Sequence, residues 1–243
     1  GEEILQFTYK DGWAPITDGL GFALVVSDEC ADWTTWDERE SWRASGLLHG
    51  SPGEADPGPP AVAAVLIDEA LAHTDPPLYD MIELLNPAAG PADIGGWYLT
   101  DDFYVPKKFR IPDGTVLASG ARVVFDANQF NVDTNSPKCF QLSSTGDSVW
   151  LFSADASSNL TGYVHGFAFG ASPNGVSFGR HVTSEGEEHI AAQISRTPGA
   201  ANSGPKVGPV VLSEIMYHPP EGGTNEDARL EFIELRNTGG AAV

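Results

Sequence analysis

Apolar residues along this chain come in short runs that alternate with polar ones, and no window carries a capped stripe at helical spacing. AVAAVLIDE (Ala61–Glu69), DMIELLN (Asp80–Asn86), GGWYLTDD (Gly95–Asp102), ARVVFDA (Ala121–Ala127), GDSVWLFSA (Gly146–Ala154) and GYVHGFAFG (Gly162–Gly170) each read as a β-strand. Between them IPDGT, LASGA and SPNG supply turn residues fit for positive φ. The tract from Ala55 to Asp75 could pass as a helix with proline at its start. That reading is rejected, because its later copy VVLSEIMYH (Val210–His218) is β-branched and one unit should fold one way. Strand alternation sends Ile67, Ile82, Leu84, Trp97, Leu99, Val124, Val149, Leu151 and Phe167 into a core. It turns Tyr98, Trp150 and Glu83 the other way, and puts Glu69 on the Ile67 side of its strand, partly buried. The expectation is an all-β sandwich.

The same patterns return. Ile67, Glu69 and His73 reappear as Leu212, Glu214 and His218, each 145 positions later, and IELLN (Ile82–Asn86) returns as IELRN (Ile233–Asn237), 151 later. GSPGEADPGP (Gly50–Pro59) is echoed by RTPGAANSGP (Arg196–Pro205), 146 later. Ordered along the chain, these echoes predict a window onto a tandem array. Residues 1–60 form the last part of one unit with its linker, 61–203 a complete unit, 204–208 a linker, and 209–243 the first part of a further unit. Proline and glycine in both linkers suit that division. A sandwich without its middle strands leaves sheet edges and half a core open. Something is therefore expected to complete the two end segments: more of the same polypeptide, or strands from neighbouring subunits.

The order VLIDE, IELLNP, GGWYLTDD, IPDGT, LASGARVVFD, FQLSSTGDSVWLF, SFGR and TPGAANS resembles the lamin-tail domain as it occurs in bacteria. The resemblance covers Val62–Ser203 and, in part, both flanks. It implies tandem immunoglobulin-like β-sandwiches, one complete and two partial copies. It also implies a non-enzymatic, extracellular structural or adhesive module, found in secreted or surface proteins beside hydrolases or nucleases. The partners it implies are further lamin-tail-like domains of the same chain or of neighbouring subunits. Localisation would be extracellular, cell-surface or periplasmic.

Composition narrows this reading. The 243 residues carry 34 Asp+Glu against 13 Lys+Arg, a formal charge of -21. Such a surface repels phosphate backbones and anionic lipid, so neither nucleic acid nor membrane insertion is expected. No apolar run is long enough for a membrane helix. Cys30 and Cys139 stand far apart and in no metal-ligand spacing; whether they are bridged stays open.

The candidate chemistry is thin. There is no GxSxG elbow and no glycine-rich phosphate loop, and carboxylate pairs carry no weight in so acidic a chain. No catalytic residue is expected. His73 and His218 read as loop histidines, and His49, His165, His181 and His189 as scattered. Glu69 with Asp101 and Asp102 could offer oxygens to Ca²⁺, but no known calcium pattern is present. Glu69 is better read as a carboxylate that accepts backbone N–H bonds, so no cofactor is expected. Asn159-Leu160-Thr161 fits a glycosylation sequon, a weak pattern. The acidic insertion DECADWTTWDERESW (Asp28–Trp42) holds three tryptophans. Burial is the commoner fate of such residues, yet Trp33 and Trp36 give an alternative function: a carbohydrate-binding or tethering accessory module of a secreted hydrolase, with polysaccharide as partner.

Overall fold

The computed structural model describes residues 6–219 and 230–242. Its strands are β1 (Phe22–Val26), β2 (Trp42–Leu48), β3 (Leu66–Leu71), β4 (Met81–Leu85), β5 (Ala92–Asp93), β6 (Tyr98–Thr100), β7 (Phe109–Arg110), β8 (Val116–Leu117) and β9 (Arg122–Asp126). One helical turn, α1 (Ala127–Phe130), separates these from β10 (Gly146–Ala154), β11 (Leu160–Gly170), β12 (Phe178–Val182), β13 (Glu188–Ala192), β14 (Val210–Met216) and β15 (Phe232–Asn237). The chain divides into two compact units, Gly1–Gly204 and Pro205–Val243. Gln6–Lys10 form no strand.

In the first unit a five-stranded sheet, β13-β12-β3-β4-β9, faces a four-stranded sheet, β11-β10-β6-β7, and β5-β8 forms a small ribbon at the side. Every pairing is antiparallel. This is the all-β sandwich expected from strand alternation. Ile67, Ala70, Ile82 and Leu84 from one sheet meet Leu99, Val149, Leu151 and Phe167 from the other, with Trp97 buried among them. Ile94, Ile111, Phe130, Phe140 and Leu142 extend the core through the loops. Phe130 and Phe140 stack at 4.7 Å.

Two expected side-chain directions are wrong, each for a definable reason. Val124 is not in the core. It pairs with Glu83, whereas Phe125 and Val123 pair with the inward Ile82 and Leu84 and share their face. Glu69 is not on the Ile67 side. The β3–β4 register shifts between Ile67 and Glu69, and this bulge moves inward positions from Val65 and Ile67 to Ala70 and Ala72. Glu69 therefore stands opposite Glu83 on the other face. The turn α1 was not expected either. Its signal is Asp126 with Gln129 three residues on, a capping box in which each side chain bonds the other's backbone end.

Tyr98 and Trp150 point away from the main core as expected, but they do not meet solvent. Tyr98 and Phe152 form a second buried cluster with Ile16, Phe22 and Ala44, flanked by Phe103, Trp150 and Val164. The β1–β2 hairpin and the turn before it thus cover the outer face of the four-stranded sheet. Phe103 makes edge contact with Trp150 at 5.0 Å.

The second unit is one hairpin, β14–β15. Its register matches β3–β4: Leu212↔Leu235, a shift, then Glu214↔Glu234, Ile215↔Ile233 and Met216↔Phe232, against Ile67↔Leu84, a shift, then Glu69↔Glu83, Ala70↔Ile82 and Leu71↔Met81. The six extra residues of this copy fall in the tract through 220–229, outside the described residues.

Trp97 fills the space between the sheets and leans on Tyr163, with ring centroids 5.8 Å apart. Trp97→Ala is expected to cost about 3–5 kcal/mol, the range for a large aromatic truncated in a core. Chemical denaturation measures it, and a loss below about 1 kcal/mol would contradict the packing described.

Candidate functional site

The densest polar cluster lies on the outer face of the five-stranded sheet. The bulge in β3 sets Glu69 beside Glu83 of β4, and both are fully buried, as is the neighbouring Asp68. Arg122, from β9, places Nε 2.9 Å from Asp68 and 3.2 Å from Glu83. Asp68 and Glu83 therefore share one guanidinium, and further donors must satisfy Glu69 and the rest.

Those donors come from the segment after β13. The Thr197 N–H donates to both oxygens of Glu69 at 3.0 and 3.1 Å, and its hydroxyl donates at 2.9 Å. The Ser177 hydroxyl, just before β12, donates to Glu69 as well. The Gly199 N–H donates to Glu83. Gly199 has φ +79, so the turn that presents this N–H favours glycine. The Asn202 amide closes the seam by donating to Asp68 O at 3.0 Å and Arg180 O at 2.9 Å, which bridges β3 to β12. Gln193 donates to Gly179 O and Ala191 O, and accepts from the Gly204 N–H at 3.0 Å.

Burial pushes the Glu83 carboxyl up to about 7, against the Gly199 N–H, which lowers it; Glu69 and Asp68 add to the rise and Arg122 opposes it. The cluster is a clasp. Its carboxylates are buried and bonded to Arg122, Ser177 and the strap Thr197–Asn202.

The residues singled out from sequence fall in several places. Glu69 accepts a backbone N–H, as anticipated. Asp101 pairs with Lys108 at 2.5 Å, and Asp102 accepts from the Tyr104 N–H at 2.9 Å. Among the described residues no three His, Cys, Asp or Glu side chains are grouped as a metal site. His73 Nδ1 meets Ser172 O at 2.7 Å. His181 and His189, read as scattered, stand directly opposite each other across β12–β13. The Ile67 N–H donates to His165 Nδ1 at 3.0 Å, and burial holds this histidine's pKa below its usual value. Cys30 and Cys139 are both free.

The tryptophans separate. Trp33 lies on a single 3₁₀ turn and is 56% exposed. Trp36 sits edge-on to Trp42 at 5.9 Å and to Phe7 at 5.7 Å, and Trp42 donates its indole N–H to Trp36 O at 2.8 Å.

Asp68, Glu83, Arg122, Thr197 and Asn202 were missed as a set. The signal was present in the internal echoes. Glu69, Glu83, Pro198 and Gly199 each return at their repeat offsets as Glu214, Glu234, Pro52 and Gly53.

Residues 58–166 match the family model of the lamin tail domain. This stretch is a lamin tail domain. Neither a curated protein nor a solved structure shows significant similarity to the chain. The match takes in β3 through most of β11, and so both faces of the sandwich core. The lamin-tail stretch contributes Asp68, Glu69, Glu83 and Arg122, and the strap that satisfies them lies beyond residue 166.

A carboxyl raised to about 7 when folded, against 4.5 ordinarily, keeps its proton in the folded state at pH values where the unfolded chain has lost it. Its contribution to stability is full below about pH 4.5 and falls away as pH rises to about 7. The loss is on the order of 3 kcal/mol for this one group. Melts of wild type and Glu83→Gln from pH 4.5 to 8 check this. The wild type should lose stability with rising pH relative to the variant, and parallel profiles would contradict the assignment.

Proposed function

We propose that this chain is a non-enzymatic structural module of a longer extracellular or surface protein, whose partners are further lamin-tail units. The observation that carries this reading is how the buried polar groups are used. Asp68, Glu69, Glu83, Arg122 and Asn202 all tie strands and strap together. The lamin tail domain is an immunoglobulin-like family, consistent with a structural module. The strong acidity suits a protein that must stay dispersed outside the cell.

One observation favours a second reading. Trp33 presents an exposed indole on an acidic insertion, a surface on which a sugar ring could stack. A polysaccharide pull-down separates the two. The structural reading expects no retention on soluble or insoluble glycans. Retention lost in Trp33→Ala, with an unchanged melt, would establish the carbohydrate-binding reading instead. Trp36→Ala is expected to lower the melting temperature by several degrees, because it opens the Phe7–Trp36–Trp42 cluster.

A further inference from the structure

Over three pairs the β1–β2 hairpin has the register of β12–β13; beyond Leu24 it has a bulge, with Phe22↔Leu48, that Phe178↔Ala192 lacks. Val26↔Trp42, Val25↔Arg43 and Leu24↔Ala44 reproduce Val182↔Glu188, His181↔His189 and Arg180↔Ile190. The glycines three residues before Phe22 and Phe178, Gly19 and Gly175, share positive φ, +80 and +76. The equivalent faces are also used alike: Phe178 and Ile190 pack on the main core, and Phe22 and Ala44 on the second one. The β14–β15 hairpin, in turn, has the register of β3–β4 with its bulge and its glutamate pair.

In the complete sheet these two hairpins are neighbours, joined through β12 and β3 at Phe178↔Ala70 and Gly179↔Glu69. β1 pairs only with β2, and β14 only with β15, among the described residues. Each hairpin therefore has open the edge that its counterpart uses. Leu212, Ile215, Ile233 and Leu235 correspond to the inward Ile67, Ala70, Ile82 and Leu84, yet all four are exposed, Leu212 at 52% and Ile233 at 68%. This is a core face without a core. The donors have counterparts as well. By the offset of 146, Ser51 and Gly53 stand where Thr197 and Gly199 do, and neither N–H has a hydrogen-bond partner among the described residues. The glutamates they would serve are Glu214 and Glu234, both exposed.

We propose that β14 of one copy of this chain pairs with the free edge of β1 in a second copy, forming a continuous β2-β1-β14-β15 sheet. The contact is head-to-tail, so it propagates rather than closing as a two-fold dimer. Phe22 lies opposite Ile215, and Ala23 opposite Glu214. The N–H groups of Ser51 and Gly53 receive Glu214 and Glu234. Backbone pairing along an open edge supplies the affinity, and the apolar face of β14 fixes the register. This deepens the reading as a structural module and depends on it.

The test uses the full chain with Cys30→Ser and Cys139→Ser as background. One preparation carries Ala23→Cys and another Glu214→Cys; they are mixed under mild oxidation, with Ser213→Cys replacing Glu214→Cys as the out-of-register control. The expected result is a covalent heterodimer with Glu214→Cys that exceeds the Ser213→Cys control at least fivefold. Sedimentation of the wild type should show mass rising with concentration. Equal yields from both partners, or none, overturn the pairing. A third preparation carries both cysteines on one chain, and a monomeric internal disulfide there would mean the hairpin closes on its own β1, which also overturns it. Polysaccharide retention would remove the structural reading without touching the cross-link, whereas a failed cross-link removes only this interface.

Discussion

The sandwich depends on keeping Glu69 and Glu83 buried side by side. Two adjacent carboxylates in a dry environment repel each other and lose their hydration, a penalty of several kcal/mol per ion unless donors replace the water. Arg122 answers part of this, shared with Asp68. Further donors are Thr197 and Ser177 to Glu69 and Gly199 to Glu83. The strap is therefore bound to the sheet by the need of the carboxylates, and the carboxylates tolerate burial because of the strap. The last segment of the domain and its first hairpin are thus joined by hydrogen bonds across more than a hundred residues of chain.

That coupling sets what the outer faces can do. The strap occupies the outer face of the five-stranded sheet. The outer face of the four-stranded sheet carries Tyr98, Trp150 and Phe152, too much aromatic surface to leave in water. The β1–β2 hairpin covers it with Phe22 and Ala44, the positions equivalent to those that β12–β13 directs inward. One four-stranded sheet thus has a core on each side.

Much of this was legible in the residues. Alternation in GGWYLTDD and GDSVWLFSA placed Trp97, Leu99, Val149 and Leu151 on one side and Tyr98 and Trp150 on the other, and the order of motifs named the family. What alternation could not register was the bulge. An extra residue in β3 inverts the parity of everything after it, and nothing local in VLIDE marks where it falls. Val124 was misplaced for a related reason: VVF offers apolar residues of both parities, and only pairing with Ile82 and Leu84 chooses between them. The clasp was hidden because the N–H groups of Thr197 and Gly199, two of its donors, have no residue signature, and because Arg122 and Thr197 are far from Glu69 in sequence.

A position where the two straps differ in chemistry shows how the same turn can serve two ends. Asn202 has an amide and donates to carbonyls on two strands, Asp68 O and Arg180 O. Its counterpart 146 positions earlier is Asp56, which can only accept when ionised. Asp56 accordingly turns back on its own hairpin and accepts from Arg43 at 2.5 Å, the Gly46 N–H at 3.0 Å, the Gly58 N–H at 2.8 Å and the Ser51 hydroxyl at 3.2 Å. Burial alone would raise this carboxyl, yet these donors hold it at about 2. Where Asn202 stitches a hairpin to the neighbouring strand, Asp56 braces β2 and its loop with no third strand present. A single change from donor to acceptor lets the β1–β2 hairpin hold its shape while the edge of β1 stays open.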